Sequence, residues 1–238
     1  MSCAVAIVCL QRSIMYHGSD LFPIHRPQIF NLPTPVDFEN GLLFVFPRAQ
    51  TTVVHFHGKG TTIQGSFWHY GRLYNELHAN VAGIEYCGYG THTCGESPSM
   101  KTILHYAKRS LDDLKLPALQ RVVWLGASLG TSVATLLEYE KHVDGLILEN
   151  PFTSVADLLW PIPSWAILDN WSVRINGTLV RTLFLTSERD EIVPPAMSKT
   201  LANDAPFSTQ VILTGCNHGD APAHPDYLPA IKTFLVSL

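Results

Sequence analysis

Runs of apolar, largely β-branched residues recur along the chain with helix-prone stretches between them, and this alternation restricts the fold more than any other feature. The runs cover residues 42–46, 52–56, 82–86, 122–125, 145–148, 179–185 and 209–213, each short enough for a strand. Several are apolar throughout instead of alternating with polar residues, the pattern of central strands covered on both faces. Strand and helix in alternation predict an α/β fold around a mostly parallel sheet. The first two runs lie only about six residues apart across Pro47 and Gln50, which suits an antiparallel hairpin ahead of the parallel part. Helices are predicted over 67–79, 99–114, 131–139, 195–203 and 227–238, with Ser99 as an N-cap and Pro195 in a first turn.

With 238 residues, 46% hydrophobic and 15% charged, the chain is long and apolar enough for one large core, and a single domain over 1–238 is expected. Disorder is excluded by the same composition. Sixteen basic and twenty acidic residues give a net charge of −4 without long like-charge runs, so nothing marks a nucleic-acid partner. Five cysteines, Cys3, Cys9, Cys87, Cys94 and Cys216, show no CxxC spacing; neither a disulfide framework nor a zinc site is indicated, and a reducing, cytoplasmic setting is the default. The apolar run 3–10 is too short to span a bilayer. A buried edge strand, a membrane-resting or lipidated end, and the remnant of an anchor stay open for it, the last two as a peripheral membrane contact.

The sharpest local signal is Val122-Val123-Trp124-Leu125-Gly126-Ala127-Ser128-Leu129-Gly130: a strand-like run feeding into G-x-S-x-G and then a helix-prone segment. A serine hydroxyl becomes a nucleophile when it is held out on a tight turn beside a base. Small residues two before and two after it, here Gly126 and Gly130, let strand and helix close on each other to make that turn. Ser128 is the expected nucleophile. The base and its orienting carboxylate should follow in the order Ser, Asp, His, each beyond a strand. Asp190 follows the run 179–185, with Glu188 and Glu191 as rivals; His218 follows 209–213 in a Gly-flanked turn, while His224, among prolines, is expected at the surface. An oxyanion requires backbone N–H donors. Leu129 offers one, and after His57-Gly58 the second is Lys59, with Gly60 as alternative. His55 and His57 alternate like a metal pair but lack a third ligand at useful spacing. Between 151 and 178 the pattern gives way to Trp160, Pro161, Pro163, Trp165 and Trp171, a stretch of the length and composition of a lid.

These motifs carry a resemblance. The chain from about residue 11 to its end resembles the α/β-hydrolase superfamily, close to the bud-emergence-type and protein-depalmitoylating group of serine hydrolases. The likeness lies in 11–16, His57-Gly58, Tyr86-Cys87-Gly88-Tyr89-Gly90, Gly95-Glu96-Ser97-Pro98-Ser99, Gly126 to Gly130, Glu149-Asn150-Pro151-Phe152-Thr153-Ser154, Asp190 with Val193-Pro194, and His218. The chain departs from the group at Cys87 and Lys59, where Arg and Asn are common, and its lid segment is short. The resemblance implies an α/β-hydrolase fold and hydrolysis of a carboxylic ester or thioester with an acyl or lipid-like part, without cofactor or metal. A non-catalytic scaffold that binds a protein partner or membrane through the Trp/Pro segment is the alternative.

Overall fold

The computed structural model describes residues 11–16, 30–90, 92, 94–116, 120–141 and 143–238; the run 3–10 lies outside them. Eight strands form one sheet in the order β1-β2-β4-β3-β5-β6-β7-β8. They are β1 (Val36–Phe38), β2 (Gly41–Phe44), β3 (Thr51–Phe56), β4 (Asn80–Ile84), β5 (Arg121–Ala127), β6 (Gly145–Glu149), β7 (Arg181–Ser187) and β8 (Ser208–Leu213). From β4 onward across the sheet every pairing is parallel, while β1 and β2 are antiparallel additions at one edge.

Alternate residues of the central strands feed two separate cores. Val54, Phe56, Trp124, Leu146, Leu148 and Phe184 point to one, and Val53, Val123, Leu125, Ile147, Leu183 and Leu185 to the other. This is the period-two geometry of a strand buried on both faces. The first core is closed by helices Met100–Asp113, Leu129–Glu138 and Pro195–Asp204, which contribute Ile103, Val133 and Leu201. Helices Phe67–Leu77 and Tyr227–Ser237 close the second with Tyr70, Leu73, Ile231 and Phe234. Ser99 caps its helix by accepting a hydrogen bond from the Thr102 N–H, and the Ser99 N–H donates to Thr102 Oγ1, so both end groups are satisfied.

Three expectations are corrected. The residues 42–56 do not pair with each other: β2 joins β1 and β4, and β3 lies between β4 and β5. The hairpin is β1–β2 instead, its turn made by Asn40 at φ 55°, a conformation asparagine tolerates well. Cys87 and Cys94 are disulfide-bonded with Cα atoms 5.4 Å apart, a pairing that no recognised spacing announces. His224 is half-buried, with Nε2 3.1 Å from the Thr214 carbonyl, and is not a plain surface residue.

The Trp/Pro segment packs over the end of the sheet as a short helix, Val155–Leu158, and a 3-10 turn, Ser164–Ala166, held to itself by a bridge between Ser154 and Ser172. Residues 11–16, which form a helical turn, are strapped across it. Gln11 Nε2 donates to the Ala166 carbonyl and Leu168 N–H donates back to Gln11 Oε1; Tyr16 hydroxyl donates to Asp169 and accepts from Trp171 Nε1. Among the described residues no helix is long and apolar enough to cross a membrane.

Candidate active site

β5 ends in a strained turn. Ser128 has φ 50° and ψ −115°, a conformation costing a non-glycine residue about 1–3 kcal/mol. Its surroundings enforce it: Ser128 N–H donates to Glu149 O at 2.9 Å, and the Thr131 N–H and hydroxyl both donate to Ser128 O. Glycine is obligatory on either side. A Cβ on Gly130 would lie 1.9 Å from the Phe56 carbonyl oxygen, and one on Gly126 2.5 Å from that of Gly130. The turn therefore lifts Ser128 to the N-terminus of helix Leu129–Glu138, where a developing negative charge is favoured.

The loops after β7 and β8 bring Asp190 and His218 together, with Asp190 Oδ2 2.6 Å from His218 Nδ1. The other oxygen, Oδ1, accepts from the N–H groups of Ile192 and Val193 at 2.9 and 2.7 Å, so the carboxylate is fixed and buried while the imidazole stays partly open. The rival carboxylates have other partners. Glu188 accepts from Gly215 N–H and Glu191 from His218 N–H. Each holds a backbone N–H of the loop after β8 and leaves the His218 ring to Asp190. Among the described residues no hydrogen bond joins Ser128 Oγ to His218, an arrangement that substrate-free sites often show.

Asn150 ties these loops together, a role its local sequence does not reveal. It follows β6 at φ 48°, its amide nitrogen donates to the His218 carbonyl and to Ser187 Oγ, and its amide oxygen accepts from Ser187 N–H. Directly before it, buried Glu149 accepts from Tyr227 hydroxyl at 2.7 Å, and that hydroxyl meets His69 Nε2 at 3.1 Å. Burial raises the Glu149 pKa to about 7; the Tyr227 hydrogen bond and the charge of His218 oppose the rise, and Asp190 adds to it. His69 is driven down to about 3 by burial and the Arg72 charge, so it stays neutral.

On the opposite side of Ser128, the loop after β3 brings Gly58 against the Ser128 turn, where a Cβ would touch the Ala127 carbonyl and Ser128 Cβ. Lys59 follows and, with Leu129, lines the same cavity as Ser128. Leu129 N–H is the first of its helix and has no intrahelical acceptor. His57 underpins this loop. Its Nδ1 is 2.8 Å from Gly58 O and its Nε2 2.8 Å from Glu85 Oε1, in a fully buried pair. The second Glu85 oxygen accepts from Ile63 N–H. His55 turns instead to Tyr70 hydroxyl, and burial and the neighbouring His69 hold its pKa well below the ordinary value. Neither histidine is free as a metal ligand, and among the described residues no group of three or more His, Cys, Asp or Glu could hold a metal ion.

The cavity above Ser128 has a volume of about 410 Å³. Its walls are mostly apolar: Phe152, Val155, Leu158 and Ile167 from the Trp/Pro segment, Val193 from the Asp190 loop, and Ile14 and Met15 from the strap.

No family model matches the chain. Among curated proteins it is similar to bem46 of Schizosaccharomyces pombe, 26% identical over 98% of this chain and 90% of that one. It is also similar to the lysophosphatidylserine lipase ABHD12 of Xenopus tropicalis, 32% identical over 68% of this chain. There the match spans about half of the relative, 48% of its length. Among solved structures an esterase from Exiguobacterium antarcticum superposes with a TM-score of 0.61 at 18% identity, covering 84% of this chain and 97% of that one. The sheet order, the turn after β5 and the superposition give the chain the α/β-hydrolase fold, and in sequence it is similar to the bud-emergence-type protein along almost its whole length.

Proposed function

We propose that the protein is a serine hydrolase acting on a carboxylic ester or thioester with an acyl or lipid-like part. The observation that carries this reading is the 2.6 Å Asp190–His218 pair at the same end of the sheet as the strained, cavity-lining Ser128. Ser128 Oγ attacks the carbonyl carbon while His218 Nε2 takes its proton; Asp190 holds the Nδ1 proton and stabilises the imidazolium. The N–H groups of Lys59 and Leu129 receive the oxyanion. His218 returns the proton to the leaving group, and water, activated by the same imidazole, releases the acid from Ser128. The acyl chain lies against Phe152, Val155 and Ile167, an apolar wall that matches hydrocarbon and gives the carbonyl its orientation. The esterase and lipase names of its relatives support the same chemistry. The alternative is a non-catalytic scaffold that binds a protein partner or membrane through the Trp/Pro segment, whose Trp160 and Trp165 stand exposed.

Labelling with a fluorophosphonate decides between them. Wild type should label, and Ser128→Ala and His218→Ala should not, with all three showing the same circular dichroism. Unlabelled wild type should then release nitrophenol from nitrophenyl esters in a burst equal to the enzyme concentration, followed by slower turnover as water frees the acid, and labelled protein should release none. A folded wild type that takes no label contradicts an activated serine and leaves the scaffold.

A further inference from the structure

The face of the molecule around the cavity mouth is dressed for a non-aqueous neighbour. Trp160 and Trp165 are 84% and 86% exposed, far more than large aromatics tolerate on a surface meant for water alone. They belong to an eleven-residue stretch, Leu158-Leu159-Trp160-Pro161-Ile162-Pro163-Ser164-Trp165-Ala166-Ile167-Leu168, that contains no charged side chain and one polar one. Beside it, Ile14 on the strap and Ile192 on the Asp190 loop are also more than half exposed and line the same cavity. The patch therefore comes from three separate segments that meet only at the mouth.

We infer that this face docks on a lipid surface, with Trp160 and Trp165 at the headgroup level and the cavity mouth opening into the leaflet. Two observations choose lipid over a protein partner. The mouth lies inside the patch, so a protein covering the patch would seal the entrance, whereas a leaflet covers it and delivers acyl chains through it. The strap also begins here: Gln11 is pinned to Ala166 and Leu168, and the eight residues that precede it in sequence, Cys3-Ala4-Val5-Ala6-Ile7-Val8-Cys9-Leu10, carry no charge. The chain thus enters the described structure from an apolar run at the apolar face. Tryptophan suits the position because its ring is apolar and its N–H finds water or headgroup oxygens. With no charge in the stretch, the attachment is one of apolar insertion, and added salt should leave it intact.

This inference rests on reading the cavity as an acyl site, and the test separates the two. Wild type and a Trp160→Ser, Trp165→Ser double variant are sedimented with phosphatidylcholine vesicles, at low salt and in about 0.5 M salt. Wild type should partition to the vesicles in both, and the variant should partition about a hundredfold less, roughly tenfold for each tryptophan. Neither tryptophan lines the cavity, so the variant should keep its circular dichroism, its fluorophosphonate labelling and its turnover of a soluble short-chain ester. Equal partitioning of the two proteins overturns the inference. So does a wild type that ignores vesicles, whether monomeric or self-associating through this face. Loss of vesicle binding in the variant, with no labelling of either protein, upholds the docking face and removes the catalytic reading.

Discussion

Glu149 is a carboxyl group kept out of water at the end of β6, and its burial lifts its pKa from the usual 4.5 to about 7. Between those two values the folded protein binds a proton that the unfolded chain has released. The favourable contribution is complete below about pH 4.5 and is lost as the pH rises through 7, where a charge must sit beside Tyr227 and Asp190. A pKa of about 7 in place of 4.5 corresponds to about 3 kcal/mol. Glu149→Gln keeps an acceptor for the Tyr227 hydroxyl and removes the ionisation. Chemical denaturation from pH 5 to 9 should therefore show wild type weakening relative to Glu149→Gln between about pH 5 and 7 and running parallel to it above, and curves parallel over the whole range would contradict the buried proton. Nothing at the residue level announces this group. Its sequence context marks only a strand end, while its pKa depends on Tyr227, 78 positions away in the chain. Separation along the chain likewise hides the Glu85 partner of His57, 28 positions on, and the tying role of Asn150, whose three contacts lie at the end of β7 and on the loop after β8. Ser128, by contrast, is legible because the demand on it is local: two glycines, a strand before and a helix after.

Among the elements, the crossing of β5 and helix Leu129–Glu138 over β3 is the tightest backbone approach at the site, and it leads to a steric prediction. In Gly130→Ala the new methyl meets the Phe56 carbonyl oxygen at 1.9 Å, and because that atom belongs to a central strand it cannot rotate aside. The helix must move off the sheet, at a cost at or above the upper end of ordinary overpacking, about 3 kcal/mol. The melting temperature should fall by roughly 6–12 °C for a chain of this size. Gly60→Ala is the control, since a Cβ there meets nothing within 4 Å, and its melt should match wild type. Equal melts for both variants would mean that the approach is not held. Element identity in the parallel part follows from the apolar runs, which bury on both faces as their composition demands. The order at the sheet edge does not follow from the runs: β2 and β3 are neighbours in sequence, yet β4 takes the place between them because it can pair antiparallel with one and parallel with the other. Nearness along the chain misleads wherever a later strand satisfies both edges better.

At the scale of the whole molecule, the strap and the Trp/Pro segment form one roof, and a single hydroxyl joins them across more than 150 residues of chain. Tyr16 hydroxyl donates to Asp169 and accepts from Trp171 Nε1, and Arg12 Nε lies 3.5 Å from the same carboxylate. Trp171 is wholly buried, so Tyr16→Phe leaves its N–H without a partner, at a cost of about 1–3 kcal/mol. The loss falls on the roof and not on the sheet, because Ser128, Asp190 and His218 are held by contacts that do not involve residues 11–16. Ile14 and Met15 line the cavity on the strap side, toward its mouth, a stretch that a long acyl chain fills and a short one does not. Loosening the strap should therefore lower kcat/KM for long-chain nitrophenyl esters by about fivefold, a transition-state loss near 1 kcal/mol, while acetate and butyrate esters are turned over as by wild type. A chain-length series on the two proteins measures this directly. A uniform loss over all chain lengths would place the strap's influence at the catalytic residues themselves, and no loss at any length would mean that the roof shapes neither the cavity nor the choice of substrate.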